Sequence, residues 1–126
     1  MGGAQILVVE DNERSMKLLR DVLQAAGYRT LEATTGCRAC ALAAEQGADL
    51  ALVDIRLPDI DGVEVLTRLR ADERTASMPV LALTAQAMEG DRERFLTAGF
   101  DGYLSKPVNI AELVATVNQY CEGRRR

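Results

Sequence analysis

The chain has 126 residues, of which 48% are apolar and 27% are charged, as in one ordinary folded domain with its own core. Its 19 acidic and 15 basic side chains leave a net charge of −4, which argues against general nucleic-acid binding because that depends on a basic face. Histidine is absent, so Ser-His-Asp and Cys-His catalysis are excluded. We expect a single domain over residues 1–126, with a core at about 5–121 and a basic tail at 122–126.

No apolar run approaches the roughly 18–20 residues that a membrane span needs, and the N-terminus lacks the pattern of an export signal. We therefore expect no membrane association and a cytoplasmic location. The three cysteines are expected to be thiols, since nothing predicts export to an oxidising compartment. Cys37 and Cys40 have the spacing of a redox pair, but we interpret Cys40 as a small core residue and Cys37 as a surface residue.

Five short apolar or β-branched runs recur along the chain and are separated by segments of helical length. The first, third and fourth runs are apolar throughout, which is typical of strands buried on both faces of a parallel sheet. The alternation of strand and helix predicts a (βα)5 α/β domain with helices on both faces of a five-stranded parallel sheet. The predicted strands are Ile6–Val9, Tyr28–Leu31, Leu50–Val53, Val80–Leu83 and Gly102–Leu104.

Apolar residues at helical spacing predict the first and last helices, and glycines mark helix ends. Asn109 and Glu112 form an N-cap pair at the start of the last helix. The segment Met88–Ala98 predicts a weakly anchored helix, because Phe95 and Leu96 alone give it an apolar stripe. The apolar stripes are Met16, Leu19, Leu23 and Ala26 in the first helix and Ile110, Leu113, Val114, Val117 and Cys121 in the last, and the helix-ending glycines are Gly27, Gly47 and Gly99.

Polar side chains follow four of the five predicted strands, at the edge where the carboxyl ends of parallel strands open a crevice for ligands. If these strands are neighbours, three carboxylates, one hydroxyl and one amine meet there. Each residue also has an ordinary alternative, such as a cap of the first helix for Asp11 with Asn12, a cap of the fourth helix for Thr84, a turn for Asp54 or a solvated side chain for Lys106. The joint arrangement favours a functional site that consists of Glu10, Asp11, Asp54, Thr84 and Lys106.

The chemistry of this set indicates phosphoryl transfer. Clustered carboxylates repel one another unless a cation neutralises them, and oxygen ligands without His or Cys suit Mg²⁺. Lysine is a point charge suited to a phosphate oxygen, a threonine hydroxyl can donate to another, and an aspartate can be the nucleophile. Asp54 is the predicted acceptor, since it stands alone on the central strand between the acidic pair and Lys106.

Five motifs together resemble the response-regulator receiver domain of bacterial two-component signalling. The resemblance spans Gln5 to about Tyr120, and residues 84–91 are most similar to DivK-type single-domain regulators and to receivers of hybrid kinases. It implies a flavodoxin-like fold, a three-layer sandwich with strand order 2-1-3-4-5. The motifs are Val-Glu-Asp at 9–11, Leu-Val-Asp at 52–54, Leu-Pro-Asp-Ile-Asp-Gly at 57–62, Leu-Thr-Ala at 83–85 and Tyr-Leu-Ser-Lys-Pro at 103–107.

The same resemblance implies roles for the acceptor and its surroundings. Asp54 matches the phosphoacceptor, and Mg²⁺ would be held by Asp11 and Asp54 directly, by Glu10 through water and by the backbone carbonyl of Arg56. Arg56 and Gln86 occupy the two positions that the family leaves variable and that flank the path of the attacking water. We expect Arg56 to prolong the lifetime of the phosphoryl group.

A second group of residues is implied to carry the switch. Thr84 matches the switch hydroxyl, Tyr103 the switch aromatic and Lys106 the lysine that pairs with the phosphoryl group, with a cis bond between Lys106 and Pro107. After phosphorylation, Thr84 and Lys106 would move toward the acceptor and Tyr103 would turn inward. The surface of the fourth helix, fifth strand and fifth helix would then change.

The implied phosphoryl donor is a histidine kinase or a histidine phosphotransfer protein, because the chain itself has no histidine. We expect no output domain, so the signal would leave through a downstream protein that binds the switched surface. The resemblance fits both a monomer and a phosphorylation-dependent homodimer. It implies no enzymatic activity beyond self-catalysed phosphorylation and dephosphorylation.

Three other functions remain open from the sequence. A haloacid-dehalogenase-like phosphatase would need a second acid two residues after the nucleophile, where this chain has Arg56. A flavodoxin-like cofactor carrier would need a Gly, Ser and Thr loop after the first strand, where Glu10 and Asp11 would repel phosphate. The third alternative is a constitutive scaffold, against which the complete site argues.

Overall fold

Five strands and five helices alternate along the computed structural model, which describes residues 4–85 and 91–124. Every strand lies within two residues of its predicted bounds. The predicted start of the fourth helix at Met88 lies outside the described residues. The strands are β1 (Gln5–Val9), β2 (Arg29–Ala33), β3 (Leu50–Asp54), β4 (Val80–Thr84) and β5 (Gly102–Ser105), and the helices are α1 (Glu13–Ala25), α2 (Gly36–Gln46), α3 (Gly62–Ala71), α4 (Asp91–Ala98) and α5 (Ile110–Arg124).

The strands form one parallel sheet in the order β2-β1-β3-β4-β5, as predicted. In the register of the sheet, Val9 of β1 lies opposite Val53 of β3, and Leu83 of β4 lies opposite Asp54. The carboxyl ends of β1, β3, β4 and β5 are therefore consecutive neighbours at one edge. The residues that follow these strands are brought together by this topology.

Alternate strand residues contribute to two hydrophobic cores, one on each face of the sheet. Ile6 and Val8 pack with α1 and α5, whereas Leu7 and Val9 pack with α2, α3 and Phe95 of α4. β3 and β4 are buried along their whole length, as their continuous apolar runs predict. The result is the predicted three-layer flavodoxin-like sandwich.

Side-chain caps begin the helices where the sequence offers Asn or Asp. Asn12 Oδ1 accepts from the amide of Ser15 at 3.0 Å, and Asn109 Oδ1 accepts from the amide of Glu112 at 2.9 Å, as predicted. Gly27, Gly47 and Gly99 all have positive φ, which confirms their predicted place after helix ends. Among the described helices, none has both the length and the apolar character that a bilayer span requires.

Two residues of the predicted apolar stripes are exposed instead of buried. Ala26 is the exposed C-cap of α1, because the helix ends one residue earlier than the stripe does. Ile110 is 54% exposed, because it is the first residue of α5 and lies in a surface groove beside Val22 and Val114. Periodicity gives the buried face of a helix, whereas these residues lie at the ends.

Gly62, the first residue of α3, lies against the backbone that follows β3. Its amide donates to the carbonyl oxygen of Ile55 at 2.9 Å. A Cβ at this position would lie 2.8 Å from the carbonyl oxygen of Asp54 and 2.9 Å from the Cα of Ile55. Both atoms belong to the backbone and cannot move aside as a flexible side chain can. Glycine therefore allows α3 to begin directly beside the end of β3.

We expect Gly62→Ala to lower the free energy of unfolding by about 1–3 kcal/mol, the usual cost of an extra methyl group in packed space. Helix propensity alone predicts the opposite sign, a gain of up to about 1 kcal/mol. Urea unfolding followed by circular dichroism distinguishes the two, with Thr67→Ala at an exposed position of α3 as the control. Equal or higher stability of Gly62→Ala would contradict the steric explanation.

Candidate functional site

A cleft of about 480 Å³ opens at the carboxyl ends of β1, β3, β4 and β5. It contains every residue that the strand-end pattern predicts, because the strands that carry them are adjacent in the sheet. It also contains a residue from the loop after β3. The predicted residues that line the cleft are Glu10, Asp11, Asp54, Arg56, Thr84 and Lys106.

Three carboxyl groups lie within one potential ligand sphere in this cleft. One oxygen each of Glu10, Asp11 and Asp54 lies within 4.8 Å of the other two. Glu10 is fully buried and Asp54 is 7% exposed, whereas Asp11 is exposed to solvent. Of the two residues in the cap interpretation, Asn12 is the N-cap of α1 and Asp11 is not.

Lys106 bridges two of these carboxylates. Its Nζ lies 2.5 Å from Glu10 Oε2 and 2.8 Å from Asp54 Oδ2. Burial opposes the charge of the lysine, but the hydrogen bonds to Asp54 and Glu10 outweigh burial and raise the pKa of Lys106. The lysine is therefore a cation in the cleft. The peptide bond between Lys106 and Pro107 is cis, as the resemblance implies.

The pKa of Glu10 shows how far Lys106 offsets the burial of this carboxyl group and the charge of Asp54. Burial raises the pKa of Glu10 above its usual value, and the charge of Asp54 adds to the rise. The hydrogen bond and charge of Lys106 act in the opposite direction, as does the amide of Asn12, which donates to Glu10 Oε1 at 3.1 Å. The net pKa is still raised, chiefly because the carboxyl group is buried, so Lys106 does not fully offset burial and the nearby charge of Asp54.

The acceptor candidate is held through both of its carboxylate oxygens. Asp54 Oδ1 accepts from the backbone amide of Arg56 at 2.9 Å, and Oδ2 accepts from Lys106. Thr84 ends the neighbouring strand and is 5% exposed. The carboxylate and the hydroxyl thus lie at the same edge of the sheet.

The donor set of the cleft fits a hard divalent cation such as Mg²⁺. Glu10, Asp11 and Asp54 offer oxygen atoms, without sulfur or imidazole. Magnesium in proteins usually keeps several waters and shares phosphate oxygens, for which an open cleft has room. A cation among these oxygens would relieve the repulsion that Lys106 leaves.

Two predicted residues do not belong to the cleft as described. Tyr103 is half-buried beside the ring of Phe95 and lines a separate outer groove between α4 and α5, together with Leu96 and Tyr120. Gln86 lies outside the described residues. Tyr103 is thus next to the cleft but not in it.

Arg94 of α4 lines the cleft and was not predicted from the sequence. It is one of several charged residues in a short helix, where a solvated side chain is the ordinary expectation. No motif or spacing distinguishes it. Only the placement of α4 beside the sheet edge brings Arg94 to the rim of the cleft.

The cysteines and loop acids do not line the cleft. Cys37 is exposed and Cys40 half-buried, both as free thiols, which confirms the predicted burial. The carboxylate of Asp59 accepts from the amides of Cys37 and Gly36 at 2.9 and 2.8 Å, and these bonds hold the pKa of Asp59 well below its usual value. Asp61 caps α3. Asp59 thus has a structural role that the sequence did not reveal.

Residues 6–118 match the family model of the response regulator receiver domain. The chain belongs to this family. The receiver domain is 44% identical over 115 residues to the polar-differentiation response regulator DivK of Brucella ovis, and the match covers 91% of this chain and 94% of that relative. It is a phosphoacceptor domain of two-component signalling, in which histidine kinases or phosphotransfer proteins are the partners.

Two solved structures support the fold of the receiver domain. The receiver domain of the sensor histidine kinase PA1611 from Pseudomonas aeruginosa is 38% identical with a TM-score of 0.88, covers 96% of this chain and 99% of its own, and has a magnesium ion coordinated in its active site cleft. The chemotaxis response regulator CheY4 of Vibrio cholerae is 27% identical with a TM-score of 0.87, covering 93% and 98%. The two alternative functions, a haloacid-dehalogenase-like phosphatase and a flavodoxin-like cofactor carrier, are therefore wrong.

We expect two substitutions to move the pKa of Glu10 in opposite directions. Lys106→Met removes the hydrogen bond and charge that lower this pKa, so it should rise further. Asp54→Asn removes a repulsive charge, so it should fall. Carbon-13 NMR titration of the glutamate carboxyl groups in the presence of a chelator measures both shifts. Lys17→Met, at an exposed lysine of α1, is the control and should leave the pKa unchanged.

The raised pKa of Glu10 also determines how the stability of the protein changes with pH. An acid whose pKa is raised by folding binds its proton more tightly in the folded state, so Glu10 lowers the free energy of unfolding as pH rises through that pKa. The loss of stability with pH should be larger in Lys106→Met. Shifts of the Glu10 pKa in the same direction in both variants would contradict the assigned charges.

Proposed function

We propose that this receiver domain accepts a phosphoryl group on Asp54 from a phosphohistidine of a histidine kinase or phosphotransfer protein, in a reaction that requires Mg²⁺. The observation that carries the proposal is the cleft itself. Three carboxyl groups lie within 4.8 Å, and Lys106 is bonded to two of them. Protein-bound cations and an oxygen nucleophile are the requirements for such a transfer.

Burial and contacts distinguish Asp54 from the other two acids as the acceptor. Glu10 is fully buried, so a donor on another protein cannot reach its carboxylate. Asp11 is exposed and lacks the lysine contact that Asp54 has. Asp54 combines partial access with two fixed donors, the amide of Arg56 and the amine of Lys106. These hold the nucleophilic carboxylate in one orientation.

The transfer is a displacement at phosphorus. A carboxylate oxygen of Asp54 attacks in line, and a new oxygen–phosphorus bond forms while the nitrogen–phosphorus bond of the donor breaks. The electron pair of the broken bond stays on the imidazole, which is protonated as it leaves. Lys106 then exchanges its carboxylate partner for phosphoryl oxygens, and the hydroxyl of Thr84 donates to another of them.

The residues that would hold Mg²⁺ are Asp11 and Asp54 directly, Glu10 through water and the backbone carbonyl of Arg56. The ion supplies positive charge against the oxygens of the transferring group. This set supports binding because it consists of oxygen donors only and lies in an acid-rich cleft.

The output of the switch would be the α4–β5–α5 surface. Tyr103 lines its groove together with Leu96 and Tyr120, one strand away from Thr84. Movement of Thr84 toward the phosphoryl group would leave room into which Tyr103 turns. A downstream protein, or a second copy of the chain, would then bind the altered groove, which allows both a monomer and a phosphorylation-dependent homodimer.

Incubation with acetyl phosphate and Mg²⁺ should add one phosphoryl group to the protein, as measured by intact mass spectrometry. The adduct should require Mg²⁺ and be absent from Asp54→Asn, because the nucleophilic oxygen is lost. Asp72→Asn, at an aspartate outside the cleft, should still be phosphorylated. An adduct that persists in Asp54→Asn would contradict the assignment. No adduct and no beryllofluoride complex in the folded wild type would favour a constitutive scaffold.

Arg56 is the residue that we expect to set the lifetime of the phosphoryl group. Its side chain is exposed at the rim of the cleft, where it can obstruct water or hold phosphoryl oxygens. Arg56→Ala should shorten the half-life of the phosphorylated form about two- to fivefold, the range of an exposed charge contact. Half-life is read from the decay of the mass adduct, with Arg38→Ala on α2 as the control. An unchanged half-life would eliminate this role.

A further inference from the structure

Arg94 brings α4 to the rim of the cleft. Its side chain lines the cleft together with Asp54, Thr84 and Lys106. Those three residues lie at strand ends, whereas Arg94 belongs to a helix. The guanidinium carbon lies 5.0 Å from the centroid of the Phe95 ring, which is a cation–π distance. The same side chain thus borders the acceptor cleft and rests on an aromatic ring of its own helix.

The charges in the cleft indicate that the ligand of Arg94 is an anion, the phosphoryl group. A phosphoryl group brings additional negative charge to a site with three carboxylates, where the amine of Lys106 is already bonded to Glu10 and Asp54. Among the described residues that line the cleft, the other cations are Arg56 and Arg94. A guanidinium offers paired donors that match the geometry of phosphoryl oxygens. Arg94 therefore has both the location and the chemistry to contact the phosphoryl group.

Arg94 also contacts Phe95, the residue that anchors α4 in the core. Phe95 is 2% exposed and is the buried residue among the helix side chains described at 93–98. Its ring lies 6.1 Å from that of Phe100 and 6.2 Å from that of Tyr103. Tyr103 in turn lines the outer groove between α4 and α5. A continuous row of contacts therefore leads from the cleft through Arg94 and Phe95 to Tyr103.

We propose that Arg94 binds the phosphoryl group on Asp54 and that, in turning toward it, it leaves the ring of Phe95 and alters the packing of Phe95 against Tyr103. The proposal rests on the proposed function, because it requires phosphorylation of Asp54. Charge-assisted bonds to a phosphoryl group are stronger than an exposed cation–π contact, so phosphorylation favours the cleft position of the guanidinium. This connection to α4 is separate from the one through Thr84.

The test uses Arg94→Gln, Arg94→Lys and the control Arg38→Gln, which removes one exposed positive charge from α2. Phosphorylation by acetyl phosphate with Mg²⁺ is followed by intact mass at low and high salt. Arg94→Gln should slow the reaction about two- to fivefold at low salt, and the difference should shrink at high salt, since exposed charges are screened. Arg94→Lys should restore most of the rate, and Arg38→Gln should match the wild type.

A second readout follows the connection to α4. Hydrogen exchange of residues 91–98 should change when the wild type and Arg38→Gln form the beryllofluoride complex, and this change should be reduced by at least half in Arg94→Gln. A loss of packing on Phe95 alone would alter exchange before the complex forms, without salt dependence of the rate, and would overturn the proposal. Wild-type behaviour of Arg94→Gln in both readouts would also overturn it. No adduct on the wild type would instead overturn the proposed function, and this proposal with it.

Discussion

The mutual repulsion of three carboxylates at one sheet edge is the constraint on which the site depends. Glu10, Asp11 and Asp54 place oxygens within 4.8 Å of one another, and two of the three are buried. In water such groups would separate, but here each is fixed at a strand end that belongs to the core. Lys106 relieves part of the repulsion, and the pKa of Glu10 stays raised chiefly because its carboxyl group is buried. A cleft with three clustered carboxylates favours any ligand that adds positive charge. Lys106, bonded to two carboxylates, can exchange one anionic partner for another.

The sheet and most of the cleft could be predicted because both follow from short-range patterns. Continuous apolar runs identified buried parallel strands, and parallel strands end together, so the residues after them had to meet. Arg94 could not be found in this way, because its position depends on how α4 packs rather than on any strand end. Ile110 and Ala26 fitted an apolar stripe but lie at helix ends, where periodicity carries no information on the extent of the core. Packing between helices and sheet therefore determines where Arg94, Ile110 and Ala26 lie.

The loop after β3 is fixed by contacts that join distant parts of the sequence. Asp59 accepts from the amides that begin α2, and Asp61 caps α3. Gly62 closes the loop with a bond to the carbonyl of Ile55, at a distance from the Asp54 backbone that excludes a side chain. Asp59 and Gly62 look like ordinary loop composition in the sequence, and only their contacts with α2 and the end of β3 give them a role. The backbone that positions the acceptor therefore has little freedom to shift when the charge of the acceptor changes.

The opposite side of the cleft is built differently, and this asymmetry suits a switch. In the described part of α4, one ring, Phe95, is buried, whereas β3 and β4 are buried throughout. A ligand shifts a conformational equilibrium only by the difference between its interactions with the two states, which for coupled sites is typically about 1–3 kcal/mol. Such an energy is small beside the burial of a central strand, but it is comparable with the burial of one large side chain. A new charge on Asp54, the proposed acceptor, would therefore leave the sheet as it is and move α4, whose described side chains bury a single ring.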